Sequence, residues 1–304
     1  MAEFADLILM FGYAFFQRAF VAGICAAILC SVLGVFMVLR RASLIGEGVA
    51  HLSFGGIALG LVFSIYPFYT ALVLALFGTL AISFLHRKRI VYSETAIGII
   101  FSFGLALGVV LASISGGFNV DLFSYLFGSI LTVSEEDVYF IIILTSVVLG
   151  FVILFYKEML HITFDEQGAR LSGVPVDIFE IVFNLLIALC VVVSIKIIGS
   201  LLVSSLLITP AASAMQFSKS FKGTIALSIV FGFISVFSGL VFSFLYDVAT
   251  GGAIVLLSIS LFSISVVVSK IYKSISSRIE NDENLPHICK ETDESFMNNK
   301  IPKF

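Results

Sequence analysis

The chain has 304 residues, of which 60% are apolar, 13% aromatic and only 12% charged, against about 25% charged in an ordinary soluble domain. A mean hydropathy of +1.14 and 32 Phe with no Trp exclude a water-facing surface of normal polarity. A soluble enzyme, a nucleic-acid binder and a disordered scaffold are excluded with it. The net charge of −3 is local: six of the 20 acids and three of the 17 bases fall in residues 280–304, which leaves a neutral body.

A hydrocarbon layer about 30 Å thick takes about 20 apolar residues per helix. Backbone polar groups in lipid must be satisfied within the segment, so long apolar runs mean helices. The runs exceed the roughly 10-residue alternating strands of an outer-membrane barrel. They predict an all-α integral membrane protein of about nine transmembrane helices, near 11–39, 43–64, 68–85, 94–114, 138–156, 178–195, 197–215, 224–246 and 251–270. The first run is too long for the apolar core of a cleavable signal peptide. The sixth and seventh form one stretch interrupted by Lys196, which reads as a helix break at the outer surface.

Basic clusters test the count. Arg40 and Arg41, the Arg87–Arg89 run, Lys157 with Arg170, Lys219 with Lys222, and Lys270 with Lys273 and Arg278 all become cytoplasmic if the N-terminus is outside and the C-terminus inside. The acidic run Glu135–Asp137 and Asp247 then lie outside, as loop acids, with Asp121 near the same face. Residues 115–137 are too apolar for a loop; Leu122, Phe123, Leu126, Phe127, Ile130 and Leu131 recur at helical spacing and predict a short interfacial or re-entrant helix. The permease-like body covers 1–273, and 274–304 reads as a polar, disordered cytoplasmic tail. Within that tail His287 and Cys289 read as solvated. His86 and His161 read as cytoplasmic interface residues, and Cys25, Cys30 and Cys190 as small buried hydrophobes.

An ionisable group at membrane depth is costly and needs a reason. Most charges lie near predicted helix ends, where long side chains reach water. Glu47 and His51 do not: four residues apart, they share one helix face. Around them Gly46, Gly48, Gly55, Gly56 and Gly60 let a neighbouring helix or a ligand come close. A carboxylate and an imidazole so placed can contact a divalent cation, relay protons, or satisfy each other and lock helix packing. Pro210, inside the seventh span, removes a helix hydrogen bond and predicts a kink. No phosphate-binding loop, H-E-x-x-H or G-x-S-x-G occurs in the chain. Active transport would therefore need an ion gradient or a separate ATPase.

Three ordered stretches carry a family likeness. RASLIGEGVAHLSFGGIAL (41–59) resembles the second-span signature of bacterial zinc/manganese/iron ABC importer permeases. VVSIKIIGSLLVSSLLITPAASA (192–214) is similar to their late-span signature, and FDEQGARLSGVP (164–175) to their cytoplasmic coupling segment. The resemblance covers roughly residues 10–270. It implies a type II ABC importer-like permease in the cell (inner) membrane, working by alternating access as a homodimer with its pore between the protomers. It implies two copies of a partner ATPase and an extracytoplasmic metal-loaded solute-binding protein, with no nucleic acid and no permanent cofactor. The zinc, manganese or iron ion is cargo. Glu47 and His51 fall at the family's pore metal site, where Asp stands in place of Glu47. Phe164, Asp165, Glu166, Gly168, Ala169, Arg170 and Gly173 fall in the segment that couples to the ATPase. An ion-gradient-driven metal transporter and a siderophore- or cobalamin-type ABC permease are the alternatives.

Overall fold

A computed structural model describes residues 10–88, 92–114 and 120–297. It is helical: α1 (Ala14–Leu39), α2 (Ser43–Val62), α3 (Pro67–Arg87), α4 (Ser93–Ile114), α5 (Val120–Phe127), a 3-10 turn (Ile130–Thr132), α6 (Glu135–Leu154), α7 (Tyr156–Phe164), α8 (Glu166–Leu171), α9 (Val176–Ile198), α10 (Val203–Ala214), α11 (Phe221–Tyr246) and α12 (Thr250–Met297). Nine apolar helices lie where nine spans are expected. Among the described residues eight are long enough to cross a membrane alone. The ninth, α10, has 12 residues, about 18 Å.

The reason lies just before it. Gly199 takes φ +91°, which ends α9, and the next amides leave the helix for α5: Ser200 donates to Tyr125 O at 2.9 Å and Leu201 to Leu126 O at 3.3 Å. Gly128, at φ +76°, faces it; a Cβ on Gly199 would stand 2.7 Å from Gly128 N. Only a chain without side chains at both positions passes here. α5 is amphipathic as expected, with Leu122, Leu126 and Ile130 buried and Phe123 and Leu131 exposed. Residues 115–119, and the side chain of Asp121, lie outside the described residues.

Lys196 corrects the sequence reading. It marks no break and lies under no water: it is 6% exposed, two residues inside the end of α9. Its Nζ reaches both carboxylate oxygens of Asp137 at 2.6 and 2.7 Å and Tyr66 Oη at 2.7 Å, and lies over the rings of Tyr66 and Phe68. Asp137 is no loop acid either. It closes the capping box of α6, accepting from Ser134 N–H and Oγ–H at 2.9 and 2.6 Å. One ammonium thus ties three elements at the outer end: the α2–α3 turn, the start of α6 and the end of α9.

Helices α1, α2 and α9 form the interior, with 72%, 72% and 78% of their most apolar windows buried, against 28%, 22% and 28% for α3, α4 and α6. The α4 stripe that is covered by the protein is Ile97, Gly104, Gly108 and Ala112. The rest of that helix faces outward. Pro210 lies inside α10 as expected, bracketed by hydroxyls: Ser213 donates to Thr209 O at 2.8 Å and Ser258 to Thr209 Oγ1 at 2.8 Å.

Residues through Phe262 form one compact unit, and those from Ser263 another. The second is the continuation of α12, helical through Met297. This differs from the unstructured tail expected from 274. Lys- and Glu-rich chain at the end of an established helix extends it without a new nucleus. The side chains of His287 and Cys289 lie outside the described residues, as does that of His86.

Candidate functional site

The site is built on the first half of α2. Arg41, at φ +55°, turns the chain out of α1, and α2 starts at Ser43. Over the next three turns Ile45, Gly46 and residues 48–50 are buried, whereas Leu44, Glu47 and His51 are not. These three recur at i, i+3 and i+7, so a single stripe of α2 is left uncovered by its own chain. His51 stands about 12 Å along the axis from Ser43, near the middle of the helix.

Two glycine contacts set what surrounds His51. A Cβ on Gly55 would stand 2.7 Å from Gly104 O, and one on Gly104 would stand 2.5 Å from Leu52 Cα and 2.8 Å from His51 O. Backbones of α2 and α4 therefore touch, and one turn before Gly104 the ring of Phe101 meets His51 edge to face, with centroids 4.1 Å apart at 64°. On another side of α2, Gly56 lies against the backbone of α3; a Cβ there would stand 2.6 Å from Ala71 Cα.

His51 Nδ1 is buried without a hydrogen-bond partner, and no ion pair joins the ring to Glu47. A mutually satisfied pair that locks packing is therefore not what α2 carries. Two donors stand on an open stripe, each with capacity unused. Among the described residues no group of three or more His, Cys, Asp or Glu is placed to hold a metal ion. One chain offers a half-set of ligands.

At the cytoplasmic end the segment 164–175 is a tight double bend. Asp165 separates α7 from α8 and caps α8, its Oδ1 accepting from Gly168 N–H at 2.9 Å. Ala169 is buried against Ile162 and Val176, and Gly173 turns the chain at φ +85°. Arg170 binds Asp177 at 2.7 Å and Glu166 at 3.1 Å; these bonds hold its guanidinium above its ordinary pKa. Arg40 lies over the Phe183 ring. Burial pushes its pKa down, against the opposing pull of Glu180 and Glu166. Phe164 touches Phe221 of α11 at 6.0 Å and is otherwise exposed, as is Leu171 at 90%. The sequence reading named the turn-formers correctly as a group and passed over Leu171, an apolar side chain held out at the tip. His161 is exposed, as expected for the cytoplasmic face.

A model of the ABC 3 transport family matches residues 12–269. The chain belongs to that family. Among ABC 3 relatives it is 34% identical over 256 residues to the manganese transport system membrane protein MntC of Halalkalibacterium halodurans, covering 84% of this chain and 88% of that one. It is 32% identical over 248 residues to the high-affinity zinc uptake system membrane protein ZnuB of Haemophilus influenzae, covering 82% and 95%. Among solved structures it resembles PsaBC from Streptococcus pneumoniae in complex with Fab, with a TM-score of 0.77, 34% identity and coverage of 87% and 94%. The likeness spans the whole helical body. The protein is a multi-pass membrane protein of the ABC 3 transport family.

Proposed function

We propose that the chain is the membrane-spanning permease of an ATP-binding-cassette importer for a divalent transition metal, manganese or zinc foremost and ferrous iron by the same donor chemistry. The observation that carries this is the open stripe of α2, where a carboxylate and an imidazole with a free nitrogen stand at mid-membrane depth. Membership of the family and the manganese and zinc named for its relatives support the cargo class. Oxygen and imidazole donors together suit these ions, and cell supply and geometry rather than raw affinity choose among them.

Two ligands per chain make a site when two chains face each other. A homodimer with α2 on its axis supplies two Glu47 and two His51 groups, which is why the stripe is bare in one protomer. Such a site holds the ion briefly, since conduction needs entry and exit alike. Two copies of a separate ATPase dock below, against the exposed Phe164, Glu166, Arg170 and Leu171 of the α7–α8 bend. Asp165, Gly168, Ala169 and Gly173 give the bend its shape. A solute-binding protein delivers the ion at the outer face, and ATP-driven rocking of the protomers passes it to the cytoplasm across the cell membrane.

Uptake of Mn²⁺ and Zn²⁺ into vesicles holding the assembled transporter tests this. His51→Ala should abolish uptake of both while the permease still copurifies with its ATPase. Undiminished uptake by that variant would remove the metal role of α2.

A further inference from the structure

His51 is an unusual ligand. Histidines that bind metals through one nitrogen almost always donate the other N–H to a carboxylate, a carbonyl or water, which fixes the ring and makes it a stronger donor. Here Nδ1 is shielded and has no partner at all. Since the ring is half-buried with Nδ1 dry, Nε2 is the nitrogen available to a cation, and the proton must then sit on Nδ1. The neighbour placed against that ring is Phe101, edge to face at 4.1 Å. Its position is not incidental to the packing: the bare backbone crossing of Gly55 and Gly104 brings α4 close enough for a side chain one turn earlier to wall the imidazole. Glu47, the nearest carboxylate on α2, is not turned back to serve Nδ1, because no ion pair joins them.

We propose that Phe101 sets how long the cation stays, by occupying with an aromatic ring the place where an acceptor for the Nδ1 proton would otherwise stand. This rests on the reading of His51 as a cargo ligand. A metal-bound His51 leaves its Nδ1–H facing a ring, where a polar hydrogen without an acceptor is unfavourable. The loaded state is raised in free energy and the ion departs quickly. Phe101 is a positioning residue, acting on the cation only through His51.

The test supplies the missing acceptor. In proteoliposomes holding the permease with its ATPase and binding protein, Phe101→Gln places an amide oxygen beside Nδ1. It should lower the half-saturating Mn²⁺ concentration about tenfold, the size of effect such partners have, and lower the maximal rate together with it. Equilibrium dialysis of Mn²⁺ against the permease–ATPase complex should report the same tightening. Phe101→Leu, which keeps Nδ1 dry, should leave Mn²⁺ affinity near wild type. Should the Gln variant not assemble, Phe101→Ser, small enough to seat a water at Nδ1, carries the same expectation. Acceptor variants that fail to tighten binding, or that tighten it equally in a His51→Ala background, overturn the role of Phe101 and leave His51 as a ligand. Uptake that survives His51→Ala overturns both readings together.

Discussion

Glu47 carries one methylene more than the Asp that the resemblance places at this point, and the difference is one of reach. Shortening it by Glu47→Asp keeps an oxygen donor; uptake should persist, with the ratio of Mn²⁺ to Zn²⁺ transport shifted. Glu47→Gln keeps the length and removes the charge, and should cut uptake at least tenfold for both ions. Competition between the two metals in the vesicle assay separates the outcomes. Both residues could be read from the sequence because their pairing is local: four positions on a helix are one turn, and charge at membrane depth stands out against an apolar run. Phe101 could not. In a helix apolar all round, nothing marks the one Phe that meets an imidazole, although Gly104 and Gly108, spaced four apart, mark the face of α4 on which packing occurs.

At the scale of the helix the Lys196–Asp137 pair shows the same limit from the opposite side. Lys196 stands out in its apolar stretch, but its partners lie 59 and 130 positions away in the chain, and a lone cation reads as a boundary. In place, the pair is an outer clasp across the α2–α3 turn, α6 and α9. Lys196→Met leaves a buried carboxylate without its counter-ion and should cost about 3–5 kcal/mol, seen as a lowered unfolding temperature of the detergent-solubilised permease. Replacing both, Lys196→Met with Asp137→Leu, should recover much of that loss, because a well-packed apolar pair carries no desolvation cost. The shortness of α10 was hidden for a related reason. Gly199 is visible as a helix stop, but the hydrogen bonds that draw Ser200 and Leu201 to α5 join segments far apart in sequence. At the cytoplasmic bend, Leu171→Asp places a charge at the exposed apolar tip. It should uncouple ATP hydrolysis from uptake without disturbing the fold, whereas Gly168→Pro should disturb the bend itself, since Gly168 N–H is the donor that Asp165 caps. ATPase activity measured alongside uptake in the same vesicles tells the two apart.

For the whole molecule the number and order of membrane helices follow from run length, because bilayer thickness fixes how many apolar residues a crossing takes. Which faces are covered does not follow. Lipid and protein interior are equally apolar, so the sequence of α4 or α6 gives no sign that most of it faces away from its own chain, and the surfaces left to lipid and to a second protomer look alike in composition. The open stripe of α2 is the exception, since a carboxylate and an imidazole are not left to lipid without cause. The most direct check is spectroscopic. Pulsed electron paramagnetic resonance on the permease–ATPase complex loaded with Mn²⁺ reports nitrogen bound to the ion. The wild type should give a histidine-nitrogen coupling that vanishes in His51→Ala, and the same coupling persisting in that variant would contradict the account.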